Sequence, residues 1–208
     1  MADAISPEIK KNRKTNYPIH PLLLNRWSPR AMTGEEISDE ELMPLFEAAR
    51  WAPSSYNNQH WRFLYAKRNT PEWKTFYELM VASNQDWAKN ASVLLVIISK
   101  NTFDYNGKPA RTHSYDTGAA WMALALEGTH RGLAIHGMEG FDYDKAKNNL
   151  GIPEGYTVEA MAAIGRRGPK GLLSEKWQKS EEPGPRRPLE EIIMKGKFRK
   201  ESQKTKAA

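Results

Sequence analysis

Trp51-Ala52-Pro53-Ser54-Ser55-Tyr56-Asn57-Asn58-Gln59-His60-Trp61-Arg62-Phe63 changes character half-way along. Its first part is rich in Pro, Ser and Asn, residues that make turns because they fix φ or hydrogen-bond their own backbone. Its second part opens an aromatic run to Ala66 that reads as a strand. The side chains of Ser54, Ser55, Asn57 and Gln59 could bind a polyol chain or a heterocycle; read alone, they equally make a helix-ending turn. Upstream, Ser38 and Glu41 form a capping box, Ile37 can staple to Leu42, and a helix runs to about Trp51. Pro44 removes one backbone donor inside that helix and either bends it or moves its start.

Outward from this stretch the elements continue. Thr70-Pro71-Glu72 starts a second helix, with Pro at the first helical position, ending near Ser83. Ser92-Val93-Leu94-Leu95-Val96-Ile97-Ile98-Ser99 is an unbroken apolar run with β-branched residues, the pattern of a central strand covered on both faces. Asp116 to Arg131 is apolar on most sides and closed by Gly132, so it predicts a buried helix that needs a partner within the subunit or across a dimer. A fourth helix spans about Asp142 to Leu150, stopped by Gly151 and Pro153, and Val158 to Ile164 is another core strand. Several helices, few strands and no regular βαβ alternation predict an α+β fold, a sheet between helices.

The chain has 208 residues, enough for one good core. It contains no cysteine, which excludes disulfides, thiolate metal sites and a Cys nucleophile. Redox chemistry would therefore need a bound cofactor. The longest apolar run, Val93 to Ile98, is too short to span a bilayer, and the start at Met1-Ala2-Asp3 has no apolar signal core; no membrane and a cytoplasmic location are expected. The net charge is +6, but residues 1–20 carry +2 and residues 192–208 carry +5, leaving the body at −1. Basicity confined to the ends reads as solvated tails, so nucleic acid is the lesser expectation.

No G-x-G-x-x-G follows a strand, and no Walker-type loop, H-E-x-x-H metal spacing or G-x-S-x-G elbow occurs. The five histidines are scattered and read as surface or satisfied core residues. Arg26-Trp27-Ser28-Pro29-Arg30 remains. In an extended segment alternate residues share a face, so Arg26, Ser28 and Arg30 can meet one anion, although on composition alone a solvated arginine pair is the commoner explanation.

Taken together, the segments resemble the nitroreductase family. The Trp51–Phe63 loop follows an R-x-S-x-R segment by about 25 residues. Asn84 with Trp87, then Gly137-Met138-Glu139-Gly140-Phe141-Asp142, then Arg186-Arg187-Pro188-Leu189-Glu190-Glu191 come in the family's order. The resemblance covers roughly residues 22–195. It implies a central mixed sheet flanked by helices, in an intertwined homodimer with a C-terminal extension. Residues 1–20 would be an N-terminal arm and 21–196 the FMN-binding domain, with about 171–196 wrapping the partner. Residues 197–208 would be a basic tail.

The resemblance further implies that Arg26, Ser28 and Arg187, helped by Arg186, hold the FMN phosphate, with Trp27 and Pro53 in the same site. Arg30 would point at flavin N1/O2, where a cation stabilises the reduced ring. Asn84 would bond the pyrimidine edge, Met138 would lie along the ring, and the amides of Glu139 and Gly140 would approach N5; no protein side chain need be catalytic. Ser54, Ser55 and Asn57 would come from the other subunit. The implied reaction is ping-pong, from NADH or NADPH to a small planar electron-poor acceptor such as a nitroaromatic, quinone or enone. His60 departs from a common proline, and Trp87 stands where some relatives carry a lysine, which leaves Arg30 the main cation there. The alternative from another class is a non-catalytic flavin-binding or nucleic-acid-associated basic protein.

Overall fold

The computed structural model describes residues 4–198. Its elements are α1 (Pro7–Asn12), α2 (Pro21–Asn25), α3 (Asp39–Arg50), β1 (Trp61–Lys67), α4 (Trp73–Tyr77), α5 (Ala82–Ala88), β2 (Val93–Lys100), α6 (His113–His130), β3 (Leu133–Met138), α7 (Tyr143–Asn149), β4 (Tyr156–Arg166), α8 (Glu175–Gln178) and α9 (Leu189–Ile192). The basic tail beyond Phe198 lies outside the described residues.

The apolar run becomes β2, an inner strand of a sheet ordered β1-β2-β4-β3. Its alternate residues serve two cores. Leu94, Val96 and Ile98 pack with Phe76, Leu79 and Trp87 on one face, whereas Val93, Leu95 and Ile97 pack with Leu42, Leu45 and Leu124 on the other. With both faces covered, no polar position remains to give the run a period of two. The α+β expectation holds, but the expected mixed sheet does not: among the described residues every strand pairing is antiparallel. The helical links from β1 to β2 and from β3 to β4 return the chain to the sheet end it left, so neighbours run in opposite directions.

The capping box of α3 forms, with Ser38 N–H donating to Glu41 Oε2 at 3.1 Å. The helix starts at Asp39, so Pro44 lies inside it and does not move its start. The second helix differs from expectation. It is two pieces, α4 and α5, parted where Met80 makes a β-bridge with Phe141 and Val81 N–H donates to Gly140 O. Tertiary pairing outweighs helical propensity there. Strand β3 was not expected, and the arm before residue 20 holds a short helix, α1, capped by Ser6 with Ile9 buried.

Helix α6 packs one face on α3 and the sheet, while Tyr115 (81% exposed) and Met122 stand outside. Gly128 is the closest approach. A Cβ there would lie 2.5 Å from both Cγ1 and Cδ1 of Ile135. Gly128→Val is therefore expected to destabilise the fold by about 1–3 kcal/mol through overpacking, read as a lower urea midpoint. Adding Ile135→Ala should return part of the loss; no recovery would mean the helix backbone, not this contact, carries the effect.

Candidate functional site

Two stretches of irregular chain are linked through β3 and α5. Segment Arg26–Arg30 leaves α2 and then pairs with the chain after β4, where Met32 bridges Arg167 and Gly168 N–H donates to Ala31 O. Arg26 and Ser28 lie on one face, while the Arg30 guanidinium is turned to Trp177. Arg26 Nη1 donates to Ser28 Oγ at 3.4 Å, whereas Trp27 lies under the Arg167 guanidinium at 4.8 Å. Trp27 and Pro29, but not Arg26, Ser28 or Arg30, line a cavity of about 450 Å³. Trp27 is thus turned away from its charged neighbours.

The second stretch, Met138 to Phe141, is pinned to α5. Asn84 Nδ2 donates to Gly140 O at 2.9 Å, and Trp87 Nε1 donates to Asn84 Oδ1 at 3.2 Å. Gly140 is required by this approach, since a Cβ would come within 2.8 Å of Asn84 Nδ2. His136 joins the stretches: its ring lies 4.4 Å from that of buried Trp87, and its Nδ1–H donates to Pro29 O at 3.2 Å. A continuous path of contacts thus runs from Arg26–Arg30 through His136, Trp87 and Asn84 to Gly140.

Positive charge gathers at the Arg26 end of this path. Burial, then repulsion from Arg186, lowers the basicity of Arg26. Arg13 is lowered by burial, then by Arg186 and Arg26. Among the described residues no carboxylate forms an ion pair with Arg13, Arg26 or Arg186. Arg30 is lowered by burial and partly restored by Glu181; its guanidinium stands 4.5 Å over the Trp177 ring, and its buried Nε has no hydrogen-bond partner among the described residues. Burial, then Arg30, depresses His136 to about 4, against the opposing pull of the Pro29 and Ser28 carbonyls. It is therefore neutral at neutral pH.

Glu181 is the buried carboxylate of the region, yet it binds backbone: it accepts from Arg30 N–H at 2.8 Å and Ala31 N–H at 2.9 Å. Of the chain past Gly171, expected to wrap a partner, the part from Leu173 to Gly184 packs on its own subunit. Leu173 and Glu181 are buried, and Gly184 O accepts from Arg13.

The loop Pro53–Gln59 stands apart. Ser54 Oγ accepts from Gln59 N–H at 3.0 Å, Ser55 N–H donates to Asp116 Oδ2 at 2.9 Å, and the Asn57 carbonyl accepts from Gln59 Nε2 at 3.0 Å. These bonds run within the loop and to α6, rather than to Arg26–Arg30. Pro53, Tyr56 and Asn57 are exposed, and Tyr56, Asn57 and Gln59 all have φ between 51° and 53°. Three left-handed residues in four store strain of the kind found at binding loops. His60 and Asp116 hold the loop from below: His60 Nδ1–H donates to Lys100 O at 2.9 Å, and its Nε2 is 3.8 Å from Asp116 Oδ2.

The sequence pattern of the Nitroreductase family matches residues 23–81 and 66–166. The chain belongs to the nitroreductase family. A crystal structure described as an oxidoreductase containing FMN is 43% identical and superposes with a TM-score of 0.86 over 90% of this chain and 96% of that one. A protein from Desulfovibrio desulfuricans solved in complex with FMN is 24% identical, with a TM-score of 0.67 over 89% and 100% of the two chains, a likeness of fold. Protein DrgA of Synechocystis is 29% identical over 160 residues, 63% of this chain and 75% of that one.

Within this nitroreductase fold Arg26, Ser28, Arg30 and Arg186 gather at one end of the path and Asn84, Met138, Glu139 and Gly140 at the other. Arg187 is exposed beside Arg186. Arg13, Asp116, His136, Trp177 and Glu181 were not expected. Ser6-Pro7, a helix cap with Pro at the first helical position, was the available sign that the arm carrying Arg13 is structured. The others act through contacts distant in sequence, for which no local pattern exists.

Proposed function

We propose that this nitroreductase-family chain is an FMN-dependent oxidoreductase that takes hydride from NADH or NADPH and passes it to a planar electron-poor acceptor, working as a homodimer with shared sites. The observation that carries the reading is the convergence of Arg26, Ser28 and Arg186, with no carboxylate ion-paired to either arginine among the described residues, linked by His136, Trp87 and Asn84 to Gly140. A dianionic phosphate fits that cluster: it would relieve the repulsion between guanidiniums that already have their geometry. The unpartnered Nε of Arg30 and the close backbone at Gly140 suit the ring end.

FMN, when bound, supplies two-electron hydride chemistry at its ring. The residues position and tune. Arg26, Ser28, Arg186 and Arg187 bind phosphate; Arg30, held over Trp177, favours negative charge on the reduced ring. Asn84 keeps the Glu139–Gly140 backbone in place and has one amide N–H left for the pyrimidine edge. The proton that accompanies hydride transfer comes from solvent, since His136 is held neutral with its Nδ1–H on Pro29 O. Purified protein should be yellow, or become so with FMN, and should oxidise NADH or NADPH when a quinone or nitroaromatic is added. A colourless protein that cannot be reconstituted would overturn this function.

The shared site rests on the separation of the Ser54–Gln59 loop from the arginine cluster and on the exposed Tyr115 and Met122 of α6. Ser54, Ser55 and Asn57 then complete the partner's site. Mixing Arg26→Ala subunits with Asn57→Asp subunits puts both lesions in one site of the heterodimer and neither in the other. About one working site per heterodimer is expected. No recovery with folded, exchanging subunits would mean each site is built within one chain.

A further inference from the structure

The arm before residue 20 is tied to the charged cluster through one side chain. Arg13 Nη1 donates to Leu24 O at 2.6 Å and to Arg26 O at 2.8 Å, and its Nε donates to Gly184 O at 3.1 Å. The Gly184 carbonyl also accepts from Arg186 Nη1 at 3.4 Å. One planar guanidinium therefore holds the backbone of Arg26 and of the turn that carries Arg186, segments about 160 residues apart in sequence. The arm itself is anchored independently. Ser6 N–H donates to Asn25 Oδ1, Asn25 Nδ2 donates to Ala4 O, Ile9 is buried, and Glu8 accepts two bonds from Arg167 at 2.7 Å each.

We propose that Arg13 is a positioning residue for phosphate recognition, which makes the N-terminal arm a working part of the cofactor site; this rests on the FMN reading above. Neutral carbonyls accept all three of its bonds, and among the described residues no carboxylate pairs with it. The clamp sets the geometry of Arg26 and Arg186 and adds a third positive charge to the field that an anion meets. An arginine used only to fasten the arm would be served as well by a carboxylate on the body, as Arg167 is by Glu8. Carbonyl acceptors fasten it while leaving the site cationic.

The test compares FMN with riboflavin, which has the same ring and no phosphate. Flavin fluorescence titrations would be run on wild type, Arg13→Met and Arg13→Lys, with urea midpoints of the flavin-free proteins as the fold control. Arg13→Met should bind FMN about tenfold or more weakly, the loss expected for charge-assisted contacts, while riboflavin binding changes less than about twofold. Arg13→Lys keeps the charge but cannot span the carbonyls with a planar fork, so most of the FMN loss should remain. Equal losses for both flavins would make Arg13 a scaffold residue, and unchanged FMN binding in both variants would show the clamp to be idle; either overturns the proposal while leaving the FMN reading intact. Wild type that binds neither flavin, or both alike, overturns the phosphate reading and the clamp with it.

Discussion

Arg26→Ala is expected to weaken FMN binding about ten- to a hundredfold, since a hydrogen bond to a charged group is worth on the order of 1.5–3 kcal/mol. Arg26 is half-buried, which screens its field less than a surface site would, and its charge lacks an acidic partner among the described residues. Its loss also frees Ser28 Oγ and removes the neighbour that Arg186 repels. The second effect offsets the first in protein without cofactor, so Arg26→Ala should leave the unliganded fold about as stable as wild type. The expected signature is therefore a variant that folds normally and is purified without flavin. Arg186→Ala and Arg187→Ala should weaken FMN in the same direction. Arg186, which faces Arg26 electrostatically, should be coupled to it, so that the double variant departs from additivity. Wild-type FMN affinity in Arg26→Ala would remove the phosphate assignment.

The parts of this fold that were legible in the sequence are those determined within about one element's length. The capping box at Ser38 marks the start of α3, although it leaves open whether Pro44 bends the helix or moves that start, and an apolar run without polar interruption gives β2 its inner place. The Ser54–Gln59 loop announced itself through residues that tolerate left-handed backbone or bond it, although Tyr56 at φ 53° is held there by its surroundings. The α4–α5 break was not legible. Residues 70–83 read as continuous helix, and the interruption comes from Met80 and Val81 pairing with a segment some 60 residues on. The same break delivers Asn84 to Gly140, so the site's most specific local contact depends on a feature with no local cause.

The candidate site divides along the same line. Arg26, Ser28 and Arg30 could be proposed from alternation alone, while the residues that hold them could not. Glu181 looks like one acid in a charged, Pro-rich tail, yet it is buried on the amides of Arg30 and Ala31. Arg13 belongs to a charge run that reads as solvated, and its guanidinium is spent on three carbonyls. Charge patterning records which ions a segment carries. It does not record which backbone groups those ions will face.

His136 gives the same lesson in pH. Its pKa falls from the ordinary 6.5 to about 4, chiefly because its ring is buried against Trp87 and secondarily because Arg30 and Arg26 are near; the Pro29 and Ser28 carbonyls oppose the shift. The folded chain therefore keeps His136 neutral where the unfolded chain would protonate it. Above about pH 6.5 neither state carries that proton and the full stability is present. As pH falls from about 6.5 to 4 the unfolded state binds a proton that the folded state refuses, and stability declines; below about 4 both states are protonated and this loss levels off. The total is on the order of 3 kcal/mol. Glu41 and Asp86, whose pKa values are lowered by a Ser38 backbone bond and a Ser174 bond respectively, add losses that set in near the acid end of that window and continue below it. The readout is therefore a difference between proteins. His136→Asn should keep a donor for Pro29 O and remove the titration, so its urea midpoint should fall less than wild type between pH 7 and pH 4.5. Parallel declines in the two proteins would mean that His136 titrates alike folded and unfolded, and that the bridge between the arginine segment and Trp87 does not exclude the proton.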